Sequence, residues 1–414
     1  MVTKHPHVAI IGAGLGGLCL AQGLRKHGVP FDVFERDASP SSRTQGYRIR
    51  IDLQGQKALR ECLPERLYEL FCATSALPVA GVNVLDTQLN DVMDRWVSSW
   101  KKSAGTHPSD ADQHRSEQAD DDDDLNVHRM TLREVLMSGI EERVHFGKAF
   151  SHYEERDDET VVAHFSDGST VVADMLVAAD GVHSTVRKQR LPGWESIDTG
   201  SVCVYGKTYV TREHTAMLAE QLPGETSIIF DNGASSIIDA MHFRAVPVDE
   251  LGDSPRLSPV DDYLYWAIIG MRARFGLSAD HPLDHDRDAI VALVDKVTQS
   301  WSPTLKALFD NGEVSSMALV AVRSAAAPAA WAPSRVTVLG DAIHVMSPAG
   351  GLGANTALRD AALLADKLGS CSSDAVPLLN RIGEYEEAMR AYSAVAIHAS
   401  REGSRVLFGQ DIEA

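Results

Sequence analysis

The stretch that most restricts the fold is His7 to Glu35. His7 to Ile11 reads as a buried strand, Gly12-Ala13-Gly14-Leu15-Gly16-Gly17 follows, and a helical pattern runs through Leu18, Leu20, Ala21 and Leu24 to a stop at Gly28. A second strand, Val29 to Phe34, ends at Glu35, which lies 35 − 17 = 18 positions past the last glycine of the G-x-G-x-x-G pattern. This is a complete strand–helix–strand unit of the dinucleotide-binding type. Gly12 makes the tight turn, Gly14 admits a pyrophosphate, Gly17 packs helix on strand, and Glu35 takes ribose hydroxyls. Ala13 and Leu15 lie within the same loop.

A second glycine-rich stretch, Val336 to Leu368, carries the same logic. Val336, Val338 and Leu339 read as a short buried strand, and Gly340-Asp341 ends it. Pro348, Gly350, Gly351 and Gly353 forbid continuing regular structure. A helix opens near Ala354-Asn355, with Ala357, Leu358, Ala361, Ala365 and Leu368 on one face. Glycines let backbone approach a flat ligand, and a helix start offers unpaired N–H groups and partial positive charge. Such a site suits a ligand that carries or develops negative charge, with Asp341 accepting from its hydroxyls. The alternative is a loop that needs glycine for geometry alone.

Between these stretches, Met175 to Ala179 reads as a buried strand entering Ala-Asp-Gly-Val-His-Ser-Thr-Val-Arg, which sets Asp180, Gly181, Ser184 and Arg187 in a D-G-x-x-S-x-x-R pattern. The order of the three motifs resembles that of class A, single-component FAD-dependent monooxygenases, the para-hydroxybenzoate hydroxylase-like family. The resemblance implies an α/β fold, a Rossmann-like FAD-binding domain with an antiparallel-sheet substrate domain. It implies flavin contacts from Gly12, Ala13, Gly14, Leu15, Gly17, Glu35, Arg36, Asp180 and Asp341, and from Gly351, Leu352, Gly353, Ala354 and Asn355 along the ring. Arg36 would border the adenine end, and Asp180 would touch the pyrophosphate. Gln45-Gly46-Tyr47 stands where the family's mobile loop has Gly-Ala-Gly, which places Gly46 and Arg48 near the flavin with a changed loop sequence. Arg129, in Val127 to Leu136, matches the arginine of an R-x-x-L segment that reaches the ribityl–phosphate region. His344 follows the Gly-Asp pair as in the family, where it is mostly structural.

The resemblance also sets a domain plan. Residues 1–80, 125–198 and 325–380 would form the FAD-binding domain, and residues 81–100 and 199–324 the substrate domain. Residues 381–414 would be a C-terminal helix. Residues 101–124 hold eight acidic and three basic side chains, including five consecutive aspartates, and read as a disordered acidic insertion. Gly81 to Trp100 reads as a hairpin. Ser201 to Val210, Thr226 to Ile238 and Tyr263 to Arg272 read as strands, and His285 to Phe309 as helical. Arg48 and Arg50, alternating with Tyr47, Ile49 and Ile51, mark either a solvated edge or an anion or substrate contact.

The 414 residues carry a formal charge of −19, which argues against nucleic acid or an anionic membrane as partner. Five cysteines, Cys19, Cys62, Cys72, Cys203 and Cys371, include no C-x-x-C pair and fit a reducing, cytoplasmic setting. No apolar run reaches the roughly 18 residues of a membrane span. No histidine pair has a zinc spacing along the chain, so no metal is expected, and the absence of G-x-S-x-G removes serine-hydrolase chemistry.

By resemblance, the activity is an NAD(P)H-dependent monooxygenase that inserts one oxygen atom from O2 into an aromatic or polycyclic small molecule, as a monomer or homodimer. NAD(P)H would be a transient cosubstrate, because the chain has only one dinucleotide unit. The sequence singles out no catalytic base. Three other readings remain: a flavin-binding carrier or cyclase without redox turnover, a flavin-free NAD-dependent dehydrogenase, and a flavin halogenase, whose W-x-W-x-I-P motif is missing here.

Overall fold

The computed structural model describes residues 5–40, 42, 47–77, 81–92, 124–209, 226–244, 257–283, 286–370 and 377–408. In chain order the strands are β1 (Val8–Ile11), β2 (Phe31–Phe34), β3 (Arg48–Ile51), β4 (Val82–Asp86), β5 (Leu125–His128), β6 (Val144–His145), β7 (Phe150–Glu155), β8 (Val161–Phe165), β9 (Thr170–Ala173), β10 (Met175–Ala178), β11 (Ser196–Tyr209), β12 (Thr226–Asp231), β13 (Ala234–Met241), β14 (Tyr263–Met271), β15 (Ala318–Ala325) and β16 (Val336–Val338). The helices are α1 (Leu15–Lys26), α2 (Leu53–Cys62), α3 (Glu65–Ala73), α4 (Arg129–Met137), α5 (Thr185–Arg190), α6 (Arg287–Thr298), α7 (Pro303–Asp310), α8 (Asp341–His344), α9 (Gly353–Gly369) and α10 (Leu378–Phe408).

A five-stranded parallel sheet in the order β16-β10-β1-β2-β6 forms one centre. β1 and β10 are apolar and buried at every position, as expected of strands covered on both faces. From β1 the chain crosses through α1 to β2 on one side, while β10 lies on the other. The carboxyl ends of β1 and β10 therefore flank a switch point, where open α/β sheets bind ligands.

The second centre is a six-stranded sheet, β15-β11-β14-β13-β12-β4. One face packs on α6 and α7 through Val202, Val204, Trp266 and Ile268. The other face carries Cys203, Ala267, Ile269 and Phe230 and packs against Ala349 and the end of α10. Capping is local and legible. Asp52 accepts from Gly55 N–H at the start of α2, Asp286 from Ala289 at α6, and Ser302 precedes Pro303 at α7.

The structure corrects several expectations. Thr226 to Ile238 is two strands, because the turn at Asn232-Gly233 (Gly233 φ 80°) folds β12 back on β13. β4 pairs in parallel with β12, so the sheet is not wholly antiparallel. Of the expected hairpin from Gly81 to Trp100, Asp91 bridges back to Leu85, and the residues from 93 on lie outside the described set. His285 to Phe309 splits into α6 and α7 around Trp301. β7, β8 and β9 form a third sheet. The proposed insertion lies outside the described residues, except Asp124, which faces Arg50 at 3.4 Å. Among the described residues no helix is long and apolar enough to cross a membrane.

α10 is tied to the edge strand of the parallel sheet. The Tyr385 hydroxyl donates to the Val338 carbonyl (2.9 Å), and Thr337 Oγ1 donates to Glu386 (2.8 Å), all in a buried setting. Tyr385→Phe leaves the Val338 carbonyl without that partner. It should cost about 1–2 kcal/mol, read as a melting temperature lower by about 1–2 °C; an unchanged melting curve would contradict the described role.

Candidate active site

The strand register brings the motifs to one rim. Ile11 lies opposite both Phe34 and Ala178, and Ala178 opposite Val338. The residues that follow are Gly12, Glu35, Ala179-Asp180 and Leu339-Gly340-Asp341. Four separated segments thus end side by side at the carboxyl edge of one sheet.

Gly12 has φ 110°, and a Cβ there would stand 2.3 Å from the Ala179 carbonyl oxygen and 2.9 Å from Asp180 Cα. A Cβ on Gly17 would stand 2.2 Å from the Gly12 carbonyl oxygen. Gly14 differs: nothing lies within 4 Å of its added Cβ. The first and third glycines serve the packing of the protein on itself, whereas the second opens onto free space. Gly16 completes the junction, since a Cβ would meet Leu339 at 2.8 Å and Ala357 at 3.4 Å.

Glu35 is buried. Its Oε2 accepts from Ala13 N–H (2.8 Å) and its Oε1 from Asp37 N–H (3.0 Å). Each oxygen keeps a second lone pair for a hydroxyl. Arg36, next to it, is exposed at the rim. Arg133, which the sequence reading missed, is 2% exposed and donates from Nε to the Ala13 carbonyl (3.0 Å) and from a terminal nitrogen to Pro40 (2.5 Å). It places a positive charge beneath the glycine loop. The only sequence signal was its place four residues after Arg129.

Asp180 Oδ2 accepts from the N–H of Thr185 (2.9 Å) at the start of α5, while Ser184 caps the same helix through Arg187 N–H (2.9 Å). Asp180 Oδ1 is buried without a hydrogen-bond partner. Burial raises the Asp180 carboxyl above its usual range, against the lowering effect of these hydrogen bonds. A carboxyl so placed takes a proton more readily, which eases the approach of a diphosphate.

On the other side of the rim, Gly340 (φ 62°) donates its N–H to Asp360 Oδ2 (2.7 Å). Asp360 is fully buried, with His344 Nε2 at 2.6 Å and the Tyr392 hydroxyl at 2.5 Å. Burial disfavours protonated His344, but the adjacent Asp360 charge outweighs it and raises the imidazole pKa. This buried cluster holds the turn while Asp341 stays exposed at its tip, with Oδ1 3.9 Å from where a Gly353 Cβ would be.

Asn355 acts as a clamp. Its Nδ2 donates to the carbonyls of Arg50 and Gly351 (3.0 Å each), and its Oδ1 accepts from Asp52 N–H (3.1 Å). Its amide is thereby spent on shaping the loop. The first intrahelical bond of α9 runs from Thr356 to Leu352, so the N–H groups of Gly353, Ala354 and Asn355 have no partner among the described residues. Gly351 takes the left-handed conformation (φ 63°) beside Arg50.

Arg48 and Arg50 do not form a solvated edge. Arg48 Nε lies 3.0 Å from Asp239 Oδ2 on β13, and Arg50 donates to the Gly350 carbonyl (3.4 Å). Arg129 opens α4, and its N–H donates to the Tyr47 carbonyl (2.7 Å). Gly46 lies outside the described residues. Above the loop, Tyr205 and Tyr265 keep accessible surface on the sheet face that covers Ala349, and burial pushes the Tyr265 phenol well up.

An adenine dinucleotide fits this rim. Gly14 leaves room for phosphates, Glu35 faces ribose, Asp180 Oδ1 and Asp341 have capacity for hydrogen bonds, and the start of α9 presents three N–H groups.

Comparison with known proteins agrees. A family model described as FAD binding domain matches residues 124–397, and one described as NAD(P)-binding Rossmann-like domain matches residues 10–60. The dual O-methyltransferase/FAD-dependent monooxygenase CTB3 of Cercospora beticola is 35% identical over 97% of this chain and 46% of its own length. The chain thus spans about half the length of the first curated relatives it matches. A crystal structure of a putative FAD-containing monooxygenase from Photorhabdus luminescens superposes with a TM-score of 0.79 and 31% identity, covering 98% of this chain and all of that one. The 2,6-dihydroxypyridine-3-hydroxylase of Arthrobacter nicotinovorans shares the fold, with a TM-score of 0.73 and 20% identity over 99% of this chain and 95% of that one.

Two measurements check the geometry. Gly14→Ala should leave the stability of the flavin-free protein within about 0.5 kcal/mol, yet weaken FAD by about tenfold or more in a fluorescence titration. Gly12→Ala should lower both. Equal effects of the two substitutions would contradict the assignment of open space to Gly14.

His128, buried beside Tyr47 and Tyr263, has its pKa lowered to about 4 by burial and then by the nearby Lys207 charge. The unfolded chain therefore binds this proton first as pH falls. Stability should drop between about pH 6.5 and 4, by up to about 3 kcal/mol from this group. Urea unfolding of His128→Phe should show a correspondingly shallower acid loss.

Proposed function

This chain belongs to the FAD-dependent monooxygenases of the para-hydroxybenzoate hydroxylase-like family, and from that premise we propose that it uses NAD(P)H and O2 to place one oxygen atom on an aromatic or polycyclic small molecule. The observation that carries this reading is the meeting of four strand ends and the unpaired start of α9 beneath a tyrosine-bearing sheet face. We further propose that residues 1–80, 125–198 and 325–380 hold the cofactor and that residues 81–100 and 199–324 cover the substrate.

When bound, FAD would supply reduction by NAD(P)H and activation of O2. The protein's own contribution is positional. Ala13, Gly14 and Glu35 hold the adenosine and diphosphate, with Arg133 fixing the loop from below. Asp341 orients the ribityl chain. The N–H groups of Gly353, Ala354 and Asn355 favour negative charge on the adjacent edge of the ring. Cys203, Phe230, Ala267 and Ile269, packed with Ala349 and the end of α10, keep water from that side of the site. Tyr205 and Tyr265, half-buried on the same sheet face, offer rings for stacking on an aromatic substrate. A phenolic substrate or product also accords with the relative whose name joins this activity to O-methyl transfer.

The test uses flavin-loaded protein, NADH or NADPH, and a panel of hydroxylated mono- and polycyclic aromatics under 18O2. The expected result is substrate-stimulated nicotinamide oxidation with one labelled oxygen in the product. Flavin that stays oxidised with every substrate would favour a carrier or cyclase and overturn the proposal.

A further inference from the structure

We propose that His152, Glu154 and His164 form a surface site for one divalent transition-metal ion of the zinc type, on the sheet β7-β8-β9 and apart from the flavin cleft. One ligand atom from each of the three side chains lies within 4.8 Å of the other two. His152 and His164 sit directly opposite each other across β7 and β8, and His152 and Glu154, two apart on one strand, share a face. The two imidazoles are stacked, with centroids 4.2 Å apart and planes at 7°.

Three features separate this cluster from a chance meeting of surface side chains. First, His164 Nε2 is buried and lacks a hydrogen-bond partner, and the nearest carboxylate oxygen, Glu154 Oε1, is 3.7 Å away, too far for a hydrogen bond. Second, Ser151 Oγ lies 3.2 Å from His152 Nδ1. That contact leaves Nε2 of His152 as the nitrogen for an ion and orients the ring, as outer partners of metal-bound histidines do. Third, the strand between the ligands is pinned. The side chain of Gln189 on α5 accepts from Tyr153 N–H (3.0 Å) and donates to the Tyr153 carbonyl (2.7 Å). The backbone that presents His152 and Glu154 is therefore ordered before any ion arrives.

Two imidazole nitrogens and one carboxylate oxygen match zinc, with a water completing four-coordination. The same donor set is too nitrogen-rich for calcium or magnesium. Bringing the ligand atoms to zinc distance, about 2.0–2.2 Å from the ion, requires rotation mainly of His152 and Glu154, both exposed.

The experiment is equilibrium dialysis of the flavin-loaded full chain against ZnCl2 in chelator-free buffer. One ion per chain should bind with a dissociation constant below about 10 µM. His152→Gln and His164→Gln should each weaken it by about tenfold or more, while His242→Gln, at a half-buried histidine that follows β13 of the six-stranded sheet, should leave it unchanged. With Cu2+ in place of zinc, the electron paramagnetic resonance spectrum should show coupling to two imidazole nitrogens. Circular dichroism and flavin content check that each variant is folded. If His164→Gln is not, the exposed His152→Gln decides. No saturable uptake with a dissociation constant below about 10 µM, or full affinity in a folded histidine variant, overturns the proposal.

Discussion

The close approach of the Gly12 backbone to Ala179 and Asp180 is the contact on which the site depends. Two strands of a parallel sheet lie side by side, and the loops leaving them must pass without a side chain between. Because that gap is closed by backbone, the neighbouring Gly14 can stay open. The carboxylate of Glu35, the orphaned oxygen of Asp180 and the unpaired start of α9 then surround one space. None of these groups is in itself unusual. Their common address at the carboxyl edge of the sheet turns them into a cradle.

Buried charged pairs hold the loops that form the cradle. Asp360 joins the Gly340 turn to α10 through His344 and Tyr392, and Asp239 joins β3 to the six-stranded sheet through Arg48. Such pairs add little net stability, because their desolvation offsets their attraction. They do give orientation. A turn that must present Asp341 to a ligand, and a sheet that must sit at a set height above Ala349, each have one anchored arrangement.

The parts of this design that are local along the chain were legible from it. The two glycine motifs and the Asp180 motif each sit in a short strand–turn–helix unit whose geometry follows from residue type, Glu35 follows the end of β2, and the register of four strand ends brings them to one rim. Contacts made across the fold were not legible. Arg133 looks like an ordinary helical arginine until α4 is placed under the Ala13 carbonyl. Nothing beside Asp360 in the sequence marks its burial against Gly340, His344 and Tyr392, and nothing beside Asn355 marks the bond of its side chain to Gly351. The β12–β13 turn did have a signal, Asn232-Gly233, overridden by the apolar run on either side. The parallel edge strand β4 and the facing of His152 with His164 arise only from pairing between strands, which spacing along the chain does not encode.

The central claim is that one cofactor spans both glycine stretches. Crystals grown with FAD test it most directly. The account predicts density with the adenosine ribose on Glu35, the diphosphate over Gly14 and beside Asp180, and the ring edge facing the N–H groups of Gly353 to Asn355. A flavin bound elsewhere, or a rim that stays empty at saturating FAD, would contradict it.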